Sequence, residues 1–574
     1  MVSNGKKRWS AMLLILVVLS MVLAGCGATA EPAQPTQAPA EPTAEVVEPT
    51  AEVAELTEEP AEEPAGEPKV LYLGQTNPPK NFNTYIADYA YDSEAVFHVH
   101  CRLGQFAPDQ TSQPYLATWD VSEDGKVYTF HLNEDALWHD GEPVTAKDVV
   151  YTFKLTASAE SGSVYFDKVA NVVGAQEYRD GQAEEIEGIK VLDDKTVEVS
   201  LINPSPSFVS VLHAFMIIVP EHILGSLPMS ETVDAAYWRN PVGCGPYKFV
   251  EYVSDQYLLL EKFPEFFLGE PKIDQVYIRL GTWEAQEAAF EIGELDVVRV
   301  EPTEFERFEA MDGVELVRVD SYVSNLVLNN QSPFLGDVRV RKAIMYALDR
   351  EAMVEGALLG FGRVAENCWV TPWTLSPNIT TYEYDPDKAR DLLAEAGWDG
   401  SVTYKVLLGT GRPDRERMTL ILQQNLADVG ITVEVETMEG GTALEMLSKG
   451  EGDMGIVGHG TMSLLPEAAI NYVGAKSLPP EGSNYSFFVN EELTEALEQA
   501  IIQPNQEMAQ EYFWTATEIS TDQLPYVHLT VQQDIVAVNT NRVSLPSLDP
   551  IPRNRPGGDI NFITWDLVNW DIIE

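Results

Sequence analysis

From Lys69 onward, short apolar runs with strand character alternate with longer stretches of helical spacing. Val127–Leu132 (Val-Tyr-Thr-Phe-His-Leu) and Thr196–Leu201 are β-branched or aromatic runs. Glu123-Asp124-Gly125 and Leu192-Asp193-Asp194 bound them as turn signals, so both are predicted strands. Thr145-Ala146-Lys147-Asp148, following Pro143 and leading into Val-Val-Tyr-Thr-Phe, predicts a capped helix start. Over Val338–Leu348 the apolar Val340, Ile344, Ala347 and Leu348 share one helical face, with Arg339, Arg341 and Lys342 turned elsewhere. Further helices are predicted over Lys388–Ala396, closed by Gly397, and over Arg415–Val429, closed by Gly430. An alternating strand, Ile431–Val435, follows the second of these. Strands mixed with helices of this length specify an α/β architecture, and the body contains no internal repeat.

The first thirty residues follow a different pattern. A basic patch, Lys6-Lys7-Arg8, precedes an apolar run from Ala11 to Ala24 broken only by Ser20, and Leu23-Ala24-Gly25-Cys26 closes it. A bilayer-spanning helix needs about 20 apolar residues, and this run is shorter. A positive start, a short apolar core and small residues at its end describe an export signal. The tetrapeptide resembles the bacterial lipobox, which implies lipidation of Cys26 as the new first residue. Glu31–Pro68 is built almost wholly of Glu, Pro, Ala, Thr and Val, with Glu-Pro-Thr-Ala-Glu-Val at Glu41–Val46 and again at Glu48–Val53. Without aromatic residues such a stretch cannot bury enough apolar surface to repay ordering. It reads as an extended tether over 27–68, behind a signal segment over 1–26.

Composition narrows the function classes. The 574 residues correspond to roughly three to four domain-sized units. Hydrophobic residues at 45% and charged residues at 22% are those of a soluble globular body. The formal charge is −53, and removing the three basic signal residues and the tether's eleven glutamates leaves −45 on the body. No Lys/Arg run offsets it, so nucleic acid is excluded as a partner. Apart from Cys26, only Cys101, Cys244 and Cys368 occur, too scattered for a redox or zinc-ribbon motif and enough for at most one internal disulfide.

The body's motifs run in a recognisable order. Leu116-Ala117-Thr118-Trp119 leads through Ser122-Glu123-Asp124-Gly125, Tyr128-Thr129-Phe130 and Trp138-His139-Asp140-Gly141 to Thr145-Ala146-Lys147-Asp148-Val149. Asn240-Pro241-Val242-Gly243-Cys244-Gly245-Pro246-Tyr247 and Gly293-Glu294-Leu295-Asp296 follow. Then come Asp337-Val338-Arg339-Val340-Arg341-Lys342-Ala343, Tyr346-Ala347-Leu348-Asp349, Tyr384-Asp385-Pro386, Leu392–Gly397, Leu422–Gly430 and Pro525-Tyr526. Collinear over nearly the whole body, these segments resemble the extracytoplasmic solute-binding proteins of peptide- and nickel-type ABC importers. The resemblance implies a two-lobed periplasmic-binding-protein fold (type II, cluster C-like) with an inserted domain in the first lobe. It places that lobe at 69–96, 238–324 and 530–574, the insert at 97–237 and the second lobe at 325–529. It further implies a monomer that closes over its solute and delivers it to an ABC permease and the associated ATPase, with no cofactor.

Most of the quoted motifs identify architecture rather than ligand: Trp119, Trp138, Gly125, Gly141, Gly243 and Gly245 fit packing or turn roles. Ligand chemistry is expected in the second lobe's loops. Leu407–Pro413 follows a strand and precedes a helix, and Arg412 matches the arginine that, in dipeptide-binding relatives, pairs with the ligand's carboxylate; the alternative is a surface arginine answering Asp414 or nearby acids. Those relatives place a Trp and an Asp after the strand equivalent to Asp453–Val457, the Asp holding the α-amino group. Here Gly458-His459-Gly460-Thr461-Met462-Ser463-Leu464-Leu465-Pro466 carries no acid before Glu467. An ammonium taken from water needs a paired charge, so this departure counts against a free-amine peptide held in the same way. His459 and Thr461 remain as donors on that loop, with a metal chelate as a further possibility for His459.

Trp369, Trp373, Tyr485 and Phe487 form an alternative set, whose exposed faces would stack on an oligosaccharide. His98 and His100 would share one side of an extended segment, although two ligands do not make a structural zinc site. No Gly-x-Ser-x-Gly, His-Glu-x-x-His, Walker or complete Gly-x-Gly-x-x-Gly motif is present, so binding is expected without catalysis; a tethered receptor or hydrolase is the alternative.

Overall fold

A computed structural model describes residues 67–86, 90–109, 111–367, 371–459, 468–480, 482–549 and 561–573. Cys26, the tether as far as residue 66, Trp369 and Thr461 lie outside them, and of His459 only the backbone is described. Among the described residues no helix is long and apolar enough to cross a membrane.

The predicted elements form where the pattern places them, with small shifts at their ends. Val127–Leu132 is a strand, Thr196–Ser200 its partner, and the turn between the flanking strand Ala117–Val121 and Val127 has Gly125 at a left-handed φ of 67°. With Ile189–Asp193 these strands make a four-stranded sheet. The helix Ala146–Ala157 starts as its sequence signature requires: the Asp148 carboxylate accepts from the Thr145 N–H at 2.7 Å and from its hydroxyl at 3.1 Å. Three further predicted helices are Val338–Ala347, Pro386–Glu395 and Pro413–Asp428. Gly397 and Gly430, at φ 77° and 85°, terminate the last two as αL residues.

An eleven-stranded mixed sheet organises the rest. Its two long members, Val314–Leu328 and Tyr526–Asn539, pair antiparallel from Val314↔Asn539 to Val327↔Tyr526, with register shifts at Asp320/Tyr322 and Ser324/Asn325. Val317, Val319, Val536 and Val538 enter a core with Leu71, Leu73, Leu260 and Val276. At the other end Leu326, Leu328, Val527 and Leu529 enter a core with Val340, Leu393, Val406 and Leu422. Between these ends Val323, Ala365 and Val531 form a small cluster of their own. A third large core, containing Phe130, Trp138, Val149, Phe153 and Val197, draws on residues from Cys101 to Cys244.

Two polar sites turn inward. Arg341, off the apolar face as the pattern places it, does not reach solvent: it is 2% exposed, and its guanidinium donates to the Gln523 and Leu335 carbonyls at 2.7–2.9 Å. Gln523 ends the helix Gln506–Gln523, whose last carbonyls lack intrahelical donors, so a buried cation is well placed there. Nor do His98 and His100 extend as a pair of ligands. Both lie in turns, buried, and burial with the nearby Arg102 charge lowers each imidazole to about 3. Cys101 and Cys244 form a disulfide across a sequence separation of 143, with Cα atoms 5.3 Å apart. Gly243 seats the second cysteine because a Cβ there would lie 1.7 Å from the Val99 carbonyl oxygen.

Candidate functional site

A cavity of about 590 Å³ opens where the long strands cross from one core to the other, a volume suited to a small ligand. The strands supply Tyr322, Gln532 and Asp534 to its base. One wall is the end of strand Val297–Val300 and the turn after it, with Arg299 and Glu301; the opposite wall is the loop carrying Gly411, Arg412 and Asp414.

The loop geometry follows from its sequence. Strand Thr403–Gly409 ends, Gly411 adopts φ 87°, and Pro413 begins the helix Pro413–Asp428 at the position where a missing N–H costs nothing. Arg412, the residue before it, donates from Nε and Nη2 to the two Asp414 carboxylate oxygens at 3.1 and 3.0 Å. Nη2 also lies 3.4 Å from Gln532 Oε1, and the guanidinium carbon is 5.2 Å from the Tyr322 ring centroid. Burial pushes the Asp414 carboxyl upward, but the hydrogen bond and charge of Arg412 outweigh it and hold the group below its ordinary value. The pair is thus ionised and oriented by its own loop.

Other charges at the cavity are distributed unevenly. Arg299 donates to Asp534 at 2.5 Å and lies over the Trp283 ring at 5.0 Å. Arg417 gives its Nε and Nη2 hydrogens to the Ala357 carbonyl. Arg415, on the same helix but not among the residues lining the cavity, has a buried Nε with no partner among the described residues. Its guanidinium fits because residue 458 is glycine; a Cβ there would stand 2.4 Å from Arg415 Nη2. Burial, followed by the like charge of Arg412, lowers the Arg415 pKa from its usual value.

A model of the family "bacterial extracellular solute-binding proteins, family 5 middle" matches residues 111–477. A Brucella ovis protein named as an ABC transporter peptide-binding protein is 32% identical over 398 residues, covering 68% of this chain and 72% of that one. The chain belongs to the family 5 solute-binding proteins. Over 81% of its length it is also 27% identical to the dipeptide-binding protein of Escherichia coli, 90% of which is covered. The substrate-binding protein CtaP of Listeria monocytogenes superposes with a TM-score of 0.77 over 89% of this chain and 100% of its own, at 23% identity. The family 5 fold is therefore that of the type II binding proteins, and the relatives bear names of binding proteins.

Within this family 5 scaffold, Arg412 is the predicted residue that lines the cavity. Trp373, Tyr485 and Phe487 do not line it. Trp373 packs edge-on against Phe513 at 5.2 Å, and its carbonyl accepts from Gln510 and Trp514. Tyr485 packs on the same core, and Phe487, at φ 52°, is half-buried near Gly450. The backbone of His459 ends strand Met454–His459, in register with Val323. Sequence reasoning did not select Arg299, Glu301, Tyr322, Gln532 or Asp534. A signal existed in Val531-Gln532-Gln533-Asp534-Ile535, where a polar run interrupts an apolar strand, and in the charges set between valines at Val298-Arg299-Val300-Glu301.

Proposed function

We propose that this chain is the lipid-anchored, extracytoplasmic receptor of an ABC importer, capturing a peptide-class solute between its lobes and presenting it to the permease. The observation that carries this reading is the cavity at the strand crossing, walled by ionised groups from both sides with Arg412 held in an oriented ion pair. The names of the Brucella and E. coli relatives support peptide over sugar, as does the core packing of Trp373. The first lobe is assigned to 69–96, 238–324 and 530–574, the insert to 97–237 and the second lobe to 325–529, in keeping with the three separate large cores. Closure of the lobes buries the solute, and the closed form is the one the permease receives. Cys26 carries the lipid, the segment to Pro68 spaces the body from the membrane, and a single copy binds without catalysing a reaction.

The test is native mass spectrometry of the mature chain as purified, with identification of whatever is released on denaturation. Recovery of intact short peptides is expected. Recovery of an oligosaccharide or a metal chelate instead, or of hydrolysis products from an added peptide, overturns the assignment.

A further inference from the structure

Of the three described acids that line the cavity, two are matched by arginines and Glu301 is not. Arg299 answers Asp534, Arg412 answers Asp414, and Arg307 answers Glu287 and Glu304. Glu301, half-buried on the cavity wall, has no hydrogen bond or ion pair to its carboxylate among the described residues. Its backbone N–H is tied to Glu287 Oε1 at 2.9 Å, which fixes the residue at the start of the turn Pro302–Glu304. Burial raises the Glu301 pKa; Arg299 opposes this, while Glu284 and Glu304 add to it. A carboxylate drawn out of water beside other acids is best stabilised by an added cation.

The opposite wall has the complementary surplus. Arg412 is balanced by Asp414, while Arg417, which also lines the cavity, meets only the Ala357 carbonyl and pairs with no acid among the described residues.

We propose that Glu301 accepts the ammonium group of the solute, which lies across the cleft with its amino end on the first lobe and its carboxylate towards Arg412 on the second. The ligand class is a short peptide with both termini free. This inference rests on the peptide reading above and sharpens it. It also gives closure a driving force, because a zwitterion of this orientation is attracted to both walls at once and its two ends are satisfied together only when the walls approach.

The experiment is equilibrium capture by the mature chain of three pools of random tripeptides: free, N-acetylated and C-amidated, read by native mass spectrometry. The expected result is a preference for free over acetylated peptide of roughly 10- to 100-fold, the size of a lost charge-assisted hydrogen bond. Glu301→Gln abolishes that preference without altering the thermal unfolding of the free protein, and Glu301→Asp restores part of it, which a merely structural residue would not do. A wild-type protein that captures acetylated and free peptides equally, or a Glu301→Gln protein that still prefers the free pool, overturns the assignment of Glu301 while the peptide reading stands. Capture of none of the pools removes the peptide reading, and this inference with it.

Discussion

Arg412 and Asp414 hold each other by two hydrogen bonds, at 3.1 and 3.0 Å, across the start of the helix Pro413–Asp428. The arginine is therefore positioned before any solute arrives, and its remaining hydrogens point to the cavity and to Gln532. Pre-organisation of this kind lowers the ordering cost of binding, since a long side chain otherwise loses rotamer freedom when it meets the ligand. The same geometry makes the two residues interdependent.

Removing one partner exposes that dependence. Arg412→Ala leaves Asp414 buried without its counter-charge and is expected to cost about 1–3 kcal/mol of stability along with solute affinity. Adding Asp414→Asn recovers most of the stability and little of the affinity. Denaturant titration and equilibrium binding on the two variants check both halves; equal loss of stability in single and double variants contradicts the pairing.

Asp414 also sets an acid limit. Its folded pKa lies below the ordinary carboxylate value, so its contribution is present above the unfolded pKa and disappears as pH falls through the folded one. Stability measured from pH 5 downward is expected to fall less steeply in Asp414→Asn than in the unsubstituted chain.

The buried imidazole of His213 acts in the same direction over a higher window. It sits between Phe106 and Trp119, with ring centroids 5.8 and 5.5 Å away, and burial followed by the Arg102 charge lowers it to about 3. It is neutral when folded and takes a proton when unfolded below about pH 6.5, so stability is full above that value and declines towards about pH 3 at up to about 1.4 kcal/mol per pH unit. His213→Leu, similar in size, flattens this slope; an unchanged pH profile of unfolding refutes the assignment.

Cys101–Cys244 closes a long loop whose residues supply the core of Phe130, Trp138 and Phe153. Replacing both cysteines by serine is expected to lower stability by roughly 3–5 kcal/mol, chiefly by freeing the unfolded chain. The change is read as a lower denaturant midpoint, and reduction of the unsubstituted protein should reproduce it.

Lipidation at Cys26 is tested by Cys26→Ala. The precursor should remain uncleaved or the mature protein should leave the membrane fraction, and unaltered processing and anchoring would exclude this cysteine as the lipid site.

Much of the scaffold was legible in the chain because local signals and tertiary packing agree. Val127–Leu132 starts and stops where its pattern does, Thr145 and Asp148 cap a helix as their spacing requires, and Gly397 and Gly430 end helices in the αL conformation that glycine favours. The rest depends on long-range chemistry. Arg341 is polar by identity yet buried, because the carbonyls at the end of a helix nearly two hundred residues downstream receive it. Glu301 and Arg417 gain meaning only from which neighbours are already paired, and no spacing rule contains that information. Arg412 was visible because its loop sits between a strand and a helix; its engagement by Asp414 was visible too, two residues away, as a competing partner.

The paired strands Val314–Leu328 and Tyr526–Asn539 run unbroken from one core into the other, and their register shifts lie midway, beside the small cluster of Val323, Ala365 and Val531. A hydrogen-bonded ribbon resists shear, because sliding one strand past its neighbour breaks the ladder and reverses which face each side chain occupies. It bends and twists at far lower cost, and most readily where the ladder is already irregular. Motion between the two cores is thereby reduced to a few angular coordinates centred beneath Tyr322 and Gln532, at the base of the cleft. On the closure proposed above, a peptide one residue longer is met by a different opening angle rather than by a rebuilt pocket, so one unaltered set of side chains grades ligands by length.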